Sequence, residues 1–479
     1  MAAIVWAIIG APVALAAWSL ATPRSNLVRH LPLAAASTIL VSGLVFVADL
    51  GEVPTALDGM LRVDALTAYL LCVVGAVAVV ATGGAQTPTP NGRFSALMCL
   101  FLAAMSVAVL ADNLGLYWVA IEATTITTAF LVAHGGGRHG LEAAWKYVVL
   151  GSIGVAIAFL GIVLLYTASG DTPSLSSVAL VGRPALAETA PIGLALAVLG
   201  FATKSGLAPM HSWLPDAHSQ APAQVSGLMS GVLLSVAFAG ILRLKAISDH
   251  ALGVELMRTL LSIGALLSLA VAATLVLTQR NYKRLLAYSS IEHMGILALG
   301  TAIGGPVATA AVLLHILGHG LTKAGLFVVA GRTLHATGSH EIADVHSLLT
   351  RSPSLGRAWL AGTAALLGFP PFGLILTELA IVVAGYQRGM GLVTTIALGL
   401  LLVVFAGISR HVLAMTLTRH SAVHDAPDER SSPFESDPAT RPQRIIVLAG
   451  FGAVACLPLL AWPLADVLST ATSALGLTP

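Results

Sequence analysis

Long apolar stretches joined by short polar connections make up most of this sequence. Each stretch has roughly the 20 residues that a helix needs to cross the hydrocarbon core of a bilayer. The stretches lie near residues 3–20, 31–50, 63–82, 95–111, 114–133, 146–167, 190–209, 222–242, 258–278, 285–304, 307–331, 357–386, 391–409 and 444–466. The pattern therefore predicts an all-α integral membrane protein with about fourteen transmembrane helices.

One of these stretches carries a lysine and is then broken. Lys204 lies deep in the stretch 190–209 and is followed by Ser205-Gly206. Prolines at positions 209, 215 and 222 come next, and a regular helix cannot run through them. A lysine at the centre of a spanning helix costs about 2.5–3.5 kcal/mol, so its presence needs a reason. A broken helix with a buried cation is typical of an ion pathway.

A second stretch, 357–386, is interrupted in a similar way at Gly368-Phe369-Pro370-Pro371. Glu378 lies beyond this break, so one broken helix carries a lysine and the other a carboxylate. Two such helices in the two halves of a chain indicate two inverted five-helix repeats, each containing a broken helix. The predicted segments are 1–94 with the N-terminal helices, 95–246 and 257–417 with the repeats, 418–443 as a polar cytoplasmic loop, and 444–479 with the C-terminal helix.

The composition agrees with a membrane protein and limits its chemistry. Hydrophobic residues make up 57% of the chain and charged residues 10%, whereas soluble domains have about 25% charged residues. The net charge of +2 is dispersed among the connections, so we expect no nucleic-acid partner. Cys72, Cys99 and Cys456 stand in apolar runs, and no dinucleotide, haem or cluster motif is present. We therefore expect no cofactor, no metal and no catalytic site in this chain.

Basic residues predict the orientation of the chain. Counted over alternate connections, 16 Lys and Arg residues lie on one side and 6 on the other, and Lys204 and Lys323 lie within the membrane. The basic side faces the cytoplasm, so both termini are predicted to lie outside. The first twenty residues lack a basic n-region, which favours a retained span over a cleaved signal.

Ionisable side chains in or beside the apolar stretches are the candidate functional residues of the first half. Glu122 must pair, protonate or meet water, unless it is a helix-end acid that reaches the interface. Lys146 is either an anchor at the headgroups or part of a half-channel. Lys204 belongs either to a proton relay or to a purely structural ion pair. His211 and His218 flank the break, where they either take up protons or cap the loop, and they lack the ligand spacing of a zinc site.

The densest polar cluster lies in the second half. His315, His319 and Lys323 recur every four residues, so they share one face of a helix. Glu292-His293 lies near the start of the preceding helix. Such a row suits a hydrogen-bonded chain of waters, because exposure of the same groups to lipid would cost several kcal/mol. Metal transport by the same histidines is the alternative.

Two long strings, ATKSGLAPMHSWLPDAHSQAP and LLAYSSIEHMGI, resemble the antiporter-like proton-conducting subunits of respiratory complex I, Mrp antiporters and group 4 membrane-bound hydrogenases. The resemblance covers about residues 60–415. WVAIEATT, LEAAWKY, EHMGI and GFPPFG are most similar to the large membrane subunit of the hydrogenase-4/formate hydrogenlyase branch. The resemblance implies fourteen helices with two inverted repeats, in the cytoplasmic membrane of a bacterium or archaeon.

The resemblance also implies roles for residues of the first half. Glu122 and Lys204 match the glutamate and lysine that together modulate proton affinity in the family. Ser235 stands where many relatives of complex I have lysine or histidine. A serine can hold a water but cannot store a proton, so we expect a weaker or water-mediated link between the half-channels.

In the second half, the resemblance implies a relay that leads outward. Lys323, with His315 and His319, matches the relay residues of the family. His293 matches a histidine found in several members. Glu378 matches the ionisable residue that gates release toward the outside.

The sequence thus predicts a proton-translocating subunit of a redox-driven respiratory complex, either a membrane-bound hydrogenase or a complex I-like assembly. Its partners would be other membrane subunits, the lipid bilayer and a peripheral module with iron–sulfur clusters. An Mrp-like sodium/proton antiporter subunit and a non-conducting scaffold for catalytic subunits are the alternatives. A membrane-embedded enzyme is disfavoured because no nucleophile–base set or metal-ligand set is apparent.

Overall fold

The computed structural model describes residues 1–85, 91–170, 174–183, 186–418, 437–461 and 464–475 of the 479-residue chain. Within these residues the chain is predominantly helical. Residues 419–436 of the predicted polar loop 418–443 lie outside the described residues.

The first half of the chain contains eleven α-helices among its described residues. They are α1 (Ala2–Ala21), α2 (Leu31–Ala48), α3 (Ala65–Gly84), α4 (Gly92–Leu110), α5 (Leu114–Ala133), α6 (Gly137–Ala168), α7 (Ser177–Val181), α8 (Ala190–Lys204), α9 (Trp213–Gln220), α10 (Ala223–Leu228) and α11 (Leu234–Ala251). A turn of π-helix, Met229–Leu233, joins α10 to α11 without a break, and a 3₁₀ turn, Val28–His30, precedes α2. The sequence pattern did not predict the small antiparallel hairpin of β1 (Thr55–Ala56) and β2 (Leu61–Arg62).

The second half is also helical. Its helices are α12 (Glu255–Val276), α13 (Tyr282–Ile303), α14 (Gly305–Thr337), α15 (Leu348–Arg351), α16 (Pro353–Leu366), α17 (Leu374–Gln387), α18 (Gly391–Leu417), α19 (Arg441–Leu460) and α20 (Ala465–Ala474). A 3₁₀ turn, Ile342–Asp344, lies between α14 and α15.

Eleven helical segments of the described chain are long and apolar enough to cross a membrane. They are α1, α2, α3, α4, α5, α6, the continuous segment α10–α11, α12, α14, α18 and α19. Large apolar side chains such as Trp6, Phe130 and Leu402 remain exposed on the outside of the bundle, where lipid tails replace water. The prediction of a helical integral membrane protein is confirmed.

Two polar side chains form the tight connection between α4 and α5. The Asn113 side chain accepts hydrogen bonds from the backbone N–H groups of Gly115 (2.9 Å) and Leu116 (3.0 Å), which caps the start of α5. Asp112 accepts a hydrogen bond of 2.6 Å from the Ser177 hydroxyl, which ties the connection to α7. The two residues that separate the apolar stretches in the sequence therefore end one helix and begin the next.

Helix α6 begins earlier than the apolar pattern predicts. The pattern placed its start near residue 146, whereas the helix begins at Gly137. Glu142 and Ala143 favour helix, so the helix extends beyond the apolar stretch into polar sequence. Lys146 therefore lies about two and a half turns into the helix.

The first break follows the end of α8 at Lys204, as predicted. Side chains from elsewhere in the protein satisfy the backbone groups that the break frees. The indole Nε1 of Trp213 donates to the carbonyl oxygen of Thr203 at 2.9 Å, and the backbone N–H of Ala208 donates to Ser268 Oγ at 2.9 Å. The break is therefore stabilised by protein contacts, as a break at membrane depth requires.

The second break separates α16 from α17. Gly368 has a φ of +65°, a left-handed conformation that favours glycine. The backbone N–H of Phe369 donates to Ala364 O at 2.9 Å, and that of Gly373 donates to Val454 O in α19 at 2.9 Å. The predicted interruption is therefore present, and a neighbouring helix helps to hold it.

The continuous segment α10–α11 lies at the centre of the molecule, and its most apolar window is completely buried. It crosses α14 where two glycines meet. A Cβ atom on Gly231 would lie 2.8 Å from Gly320 O, and a Cβ atom on Gly320 would lie 2.6 Å from Gly231 O. Because real Cβ atoms do not approach backbone so closely, glycine at both positions is what permits this crossing.

We expect Gly231→Ala to destabilise the protein by about 1–3 kcal/mol, because the added methyl group forces the two helices apart. Gly399→Ala is the matched control, since its added Cβ would meet nothing within 4 Å and alanine favours a helix by about 0.5–1 kcal/mol. Thermal unfolding in detergent should therefore give a lowered midpoint for the first variant and an unchanged or raised midpoint for the second. Equal midpoints would contradict the tight crossing.

Candidate functional site

Lys204 is completely buried, and two hydroxyl groups contact its ammonium. Its Nζ donates to Thr125 Oγ1 at 2.7 Å and to Tyr147 Oη at 2.7 Å. It also lies 4.3 Å from the centroid of the Tyr147 ring and 5.9 Å from that of the Trp213 ring, within reach of a cation–π interaction. Because Lys204 is the last residue of α8, the C-terminal end of the helix dipole further favours a positive charge there.

Glu122 lies on the far side of Thr125 from the lysine. Its Oε2 is 3.3 Å from Thr125 Oγ1, and its Oε1 accepts a hydrogen bond of 2.8 Å from the Ser152 hydroxyl. Among the described residues, no ion pair within 4.0 Å joins Glu122 directly to Lys204. The sequence therefore found the two charged groups but missed the threonine between them.

A polar cavity of about 540 Å³ lies between α6, α9 and the start of α13. Lys146 Nζ, on its wall, lies 2.7 Å from Glu142 Oε1 and 3.2 Å from Asp216 Oδ2, and Arg284 also binds Asp216. Lys146 is half-exposed, and the next residue, Tyr147, contacts the Lys204 ammonium. Lys146 therefore borders the cavity, whereas Tyr147, its neighbour in the sequence, is fully buried against Lys204.

The two histidines predicted to flank the break lie in different environments. His211 is half-buried between α8 and α9. His218 is fully buried in α9, and its ring stacks on that of Phe327 with centroids 5.2 Å apart. Within the described part of the chain, neither ring nitrogen of His218 has a hydrogen-bond partner. Lys146 and Asp216 line the polar cavity, so the geometry favours that pair over the histidines for access from solvent.

A chain of hydrogen bonds crosses from α13 through α14 to α17. His293 Nδ1 and His315 Nε2 are 3.0 Å apart, and His315 Nδ1 is 2.9 Å from Thr377 Oγ1. The Thr377 hydroxyl donates to the carbonyl oxygen of Leu374 at 2.7 Å, so its oxygen accepts from His315 Nδ1–H. His315 Nε2 then has no hydrogen and accepts from His293 Nδ1–H. All the hydrogen bonds in this network therefore point from His293 toward Thr377.

Glu292 lies next to His293 without a hydrogen bond to it among the described residues. Its Oε2 lies 3.5 Å from His293 Nε2, and the carboxylate is buried. Glu292 and Glu378 together line a largely apolar cavity of about 270 Å³ between α13, α17, α18 and the second break. The sequence indicated Glu378 but gave Glu292 no role, although a carboxylate within LLAYSSIEHMGI was a signal that could have found it.

Lys323 is held as Lys204 is, by neutral oxygen atoms. Its Nζ donates to Leu286 O at 2.7 Å and to the Ser289 hydroxyl. One turn earlier on α14, the His319 ring lies 4.9 Å from the ring of His293, centroid to centroid. Within the described ranges, both ring nitrogens of His319 lack a partner. His315, His319 and Lys323 are all fully buried, so the predicted polar face lies inside the protein.

Between the two clusters, hydroxyl groups rather than charges connect the helices. Ser230 and Ser290 share a hydrogen bond of 2.7 Å between the π-helical turn and α13. Ser235 is buried, and in the described part of the structure its hydroxyl has no partner. Turns of π-helix are frequent at functional sites. The water-mediated link expected at Ser235 stays a prediction.

Two buried ionisable clusters, one at each broken helix of a helical membrane bundle, define a class of ion-conducting membrane proteins. The chain belongs to the NADH:quinone oxidoreductase/Mrp antiporter transmembrane family, whose model matches residues 111–405. The match confirms the resemblance deduced from the sequence.

Similar proteins come from several branches of this family. A hydrogenase-4 component F homolog from Methylacidiphilum infernorum is 36% identical over 65% of this chain and 67% of its own length. NADH-quinone oxidoreductase subunit N 1 from Symbiobacterium thermophilum is 31% identical over 87% of this chain and 86% of its own length. Hydrogenase-4 component B from Escherichia coli is 31% identical over 71% of this chain and 53% of its own length.

Solved structures share the fold over nearly the whole chain. A subunit of an archaeal respiratory membrane complex, the membrane-bound sulfane sulfur reductase, has a TM-score of 0.86 at 22% identity, covering 98% of this chain and 97% of its own. A subunit of the Mrp complex from Dietzia gives 0.86 at 18% identity, covering 99% and 98%. One from Thermus thermophilus respiratory complex I gives 0.81 at 25% identity, covering 98% and 99%.

The threonine between Glu122 and Lys204 offers a direct test of this geometry. We expect Thr125→Val to lower the free energy of unfolding by about 1–3 kcal/mol, because a buried ammonium loses an acceptor. Thr127→Val is the control, since that hydroxyl bonds only to carbonyls of its own helix and should change stability by less than about 0.5 kcal/mol. Thermal unfolding of both purified variants is the measurement. Equal destabilisation would contradict the assigned role of Thr125.

Proposed function

We propose that this chain translocates protons across the membrane as an antiporter-like subunit of a redox-driven respiratory complex. The observation that carries the proposal is the directional hydrogen-bonded chain from His293 through His315 to Thr377, with the Glu292 carboxylate beside His293. Buried groups joined by hydrogen bonds can pass a proton, whereas unpaired charges at this depth would only be costly. The family membership and the relatives among hydrogenase-4 and NADH-quinone oxidoreductase subunits support the same conclusion.

We further infer fourteen transmembrane spans in two inverted repeats. The eleven long apolar segments, the broken helix at α8, helix α13 and the broken helix at α16–α17 together give this number. The repeats would comprise residues 95–246 and 257–417, with 1–94 and 444–479 as the flanking helices and 418–443 as the loop. In support, α6 packs against the first broken helix as α14 packs against the second.

The proposed pathway has two half-channels. In the first, protons pass from the polar cavity at Lys146 toward Lys204, whose affinity for a proton Glu122 modulates through Thr125. In the second, they pass from Lys323 and His319 to the chain of His293 and His315 and leave past Glu378. Waters near Ser235 would connect the two half-channels.

Orientation follows from the basic connections. The polar cavity is bordered by Arg280 and Arg284, which lie on the side with the excess of basic residues. This side is therefore proposed to be cytoplasmic and both termini to lie outside, in a bacterial or archaeal cytoplasmic membrane. The cavity shared by Glu292 and Glu378 would then serve proton release.

A driving partner is required, because moving one charge against the membrane potential costs about 2.3 kcal/mol per 100 mV. We propose that other membrane subunits and a peripheral module with iron–sulfur clusters supply it. The solved relatives belong to multi-subunit membrane complexes, which supports membrane partners for this chain. A change at a neighbouring subunit would act on Glu122, which interacts electrostatically with Lys204.

An Mrp-like role is the second candidate, favoured by the similarity to the Mrp subunit. The two roles differ in the ion that is exchanged. If the chain exchanges sodium for protons, transport should depend on external sodium. Sodium-independent proton movement supports the first proposal.

We expect Lys204→Gln and Lys323→Gln each to lower proton transport by about 100-fold or more, because glutamine cannot carry the proton that a relay residue transfers. The measurement is proton uptake by proteoliposomes that contain the intact complex. Lys245→Gln is the matched control, because Lys245 is also buried but pairs with Asp249 away from both clusters.

Assembly must be checked at the same time. A complex that assembles and couples normally with Lys204→Gln and Lys323→Gln would establish the scaffold alternative instead. Size-exclusion chromatography of the complex, together with the redox activity of its catalytic subunits, distinguishes lost transport from lost assembly.

Glu292 provides a prediction that the sequence alone did not make. We expect Glu292→Gln to lower proton transport at least about tenfold, because the carboxylate beside His293 can no longer exchange a proton. Glu255→Gln is the control, since that side chain is exposed and pairs only with Arg258. Equal transport rates in the two variants would remove Glu292 from the pathway.

A further inference from the structure

We propose that His293, His315 and Glu378 form a binding site for a divalent transition metal ion of the zinc class. One ligand atom from each of the three side chains lies within 4.8 Å of the others. Two imidazoles and one carboxylate are the donor set that Zn²⁺ takes with an open fourth position. The spacing of histidines along the chain did not indicate this site, because its ligands come from α13, α14 and α17.

The spacing of the two imidazole nitrogens fits a shared ion. His293 Nδ1 and His315 Nε2 are 3.0 Å apart. In a tetrahedral site with zinc–ligand distances near 2.0–2.1 Å, neighbouring ligand atoms are about 3.3 Å apart. The metal would therefore replace the hydrogen that the two rings share, with little movement of either ring.

The outer nitrogen of His315 has a hydrogen-bond partner, and that of His293 has a carboxylate nearby. His315 Nδ1 donates to Thr377 Oγ1, which leaves Nε2 free to bind a metal. When a metal binds His293 Nδ1, the hydrogen on that atom moves to Nε2. That nitrogen lies 3.5 Å from Glu292 Oε2 and would donate to it once the carboxylate turns closer, which gives a carboxylate–histidine–metal triad. Such partners fix the orientation and tautomer of each ligand.

Glu378 supplies the third ligand and borders the cavity through which the metal ion would reach the site. All three ligand atoms lie within 4.8 Å of one another, so a carboxylate movement of no more than about 1.5 Å brings it to the tetrahedral spacing. It lines the cavity of about 270 Å³ beside the second break, which leaves room for this rotation and for the ion to arrive.

Metal binding would also block proton transfer between His293 and His315, a consequence that rests on the proposed function. The ion removes the hydrogen that the two nitrogens share. Zinc should therefore inhibit proton transport with a half-maximal concentration equal to its Kd.

The test is zinc binding by the full chain in its purified complex, measured by equilibrium dialysis with Zn²⁺. We expect His315→Asn and Glu378→Gln to bind one zinc fewer per chain than the wild type. Thr377→Val, which loses a supporting contact, should weaken binding about 10–100-fold. His218→Asn is the matched control, because that buried histidine lies outside the set, and it should bind zinc as the wild type does.

X-ray absorption at the zinc edge checks the donor atoms. We expect two imidazole nitrogens and oxygen ligands at about 2.0–2.2 Å. Equal zinc content in the wild type, His315→Asn and Glu378→Gln would overturn the site, as would a spectrum without imidazole. Neither measurement requires proton movement, so a chain that binds zinc but transports no protons would refute the proposed function and leave the site intact.

Discussion

The structure depends on how neutral oxygen atoms of the protein hold two buried ammonium groups within the membrane. Thr125 and Tyr147 surround Lys204 with hydroxyl oxygens, and Ser289 and the Leu286 carbonyl do the same for Lys323. These partners are neutral. A carboxylate in direct contact would stabilise the charged lysine strongly and make loss of its proton expensive, whereas hydroxyls satisfy the ammonium while leaving both protonation states accessible. Glu122 then acts on Lys204 indirectly, through the Thr125 hydroxyl.

The helix breaks make this arrangement possible. Because α8 ends at Lys204, the lysine lies at the negative end of the helix dipole, and Trp213 returns from α9 to satisfy the carbonyl that the break exposes. The second break is held by a backbone hydrogen bond from Gly373 to α19. Both interruptions are thus supported by packed protein, so the buried charges are positioned by rigid neighbours and not by mobile loops.

The buried charges and the helix breaks could be predicted from the sequence, because a charged residue or a proline within an apolar stretch is rare and energetically costly. Lys204 and Glu378 were identified in this way, and so were both breaks. The two threonines could not be identified from the sequence, because threonine is common in membrane helices. Only their contacts in the structure, with Lys204 for Thr125 and with His315 for Thr377, indicate a role. The cavity that joins Glu292 to Glu378 depends on how three helices pack, which no single stretch encodes. The early start of α6 was missed because helix propensity continued where hydrophobicity stopped.

The one-way order of hydrogens along His293, His315 and Thr377 has a kinetic consequence. After a proton hops along such a wire, every hydrogen in it points backward. The two imidazole rings must then turn over before a second proton can follow in the same direction. In a core as tightly packed as this one, that reorientation is slow compared with the hop itself. The proposed hydrogen-bonded chain would therefore transfer one proton for each reorientation of the two rings. A continuous flow of protons would not be possible, so the membrane potential would not dissipate between turnovers.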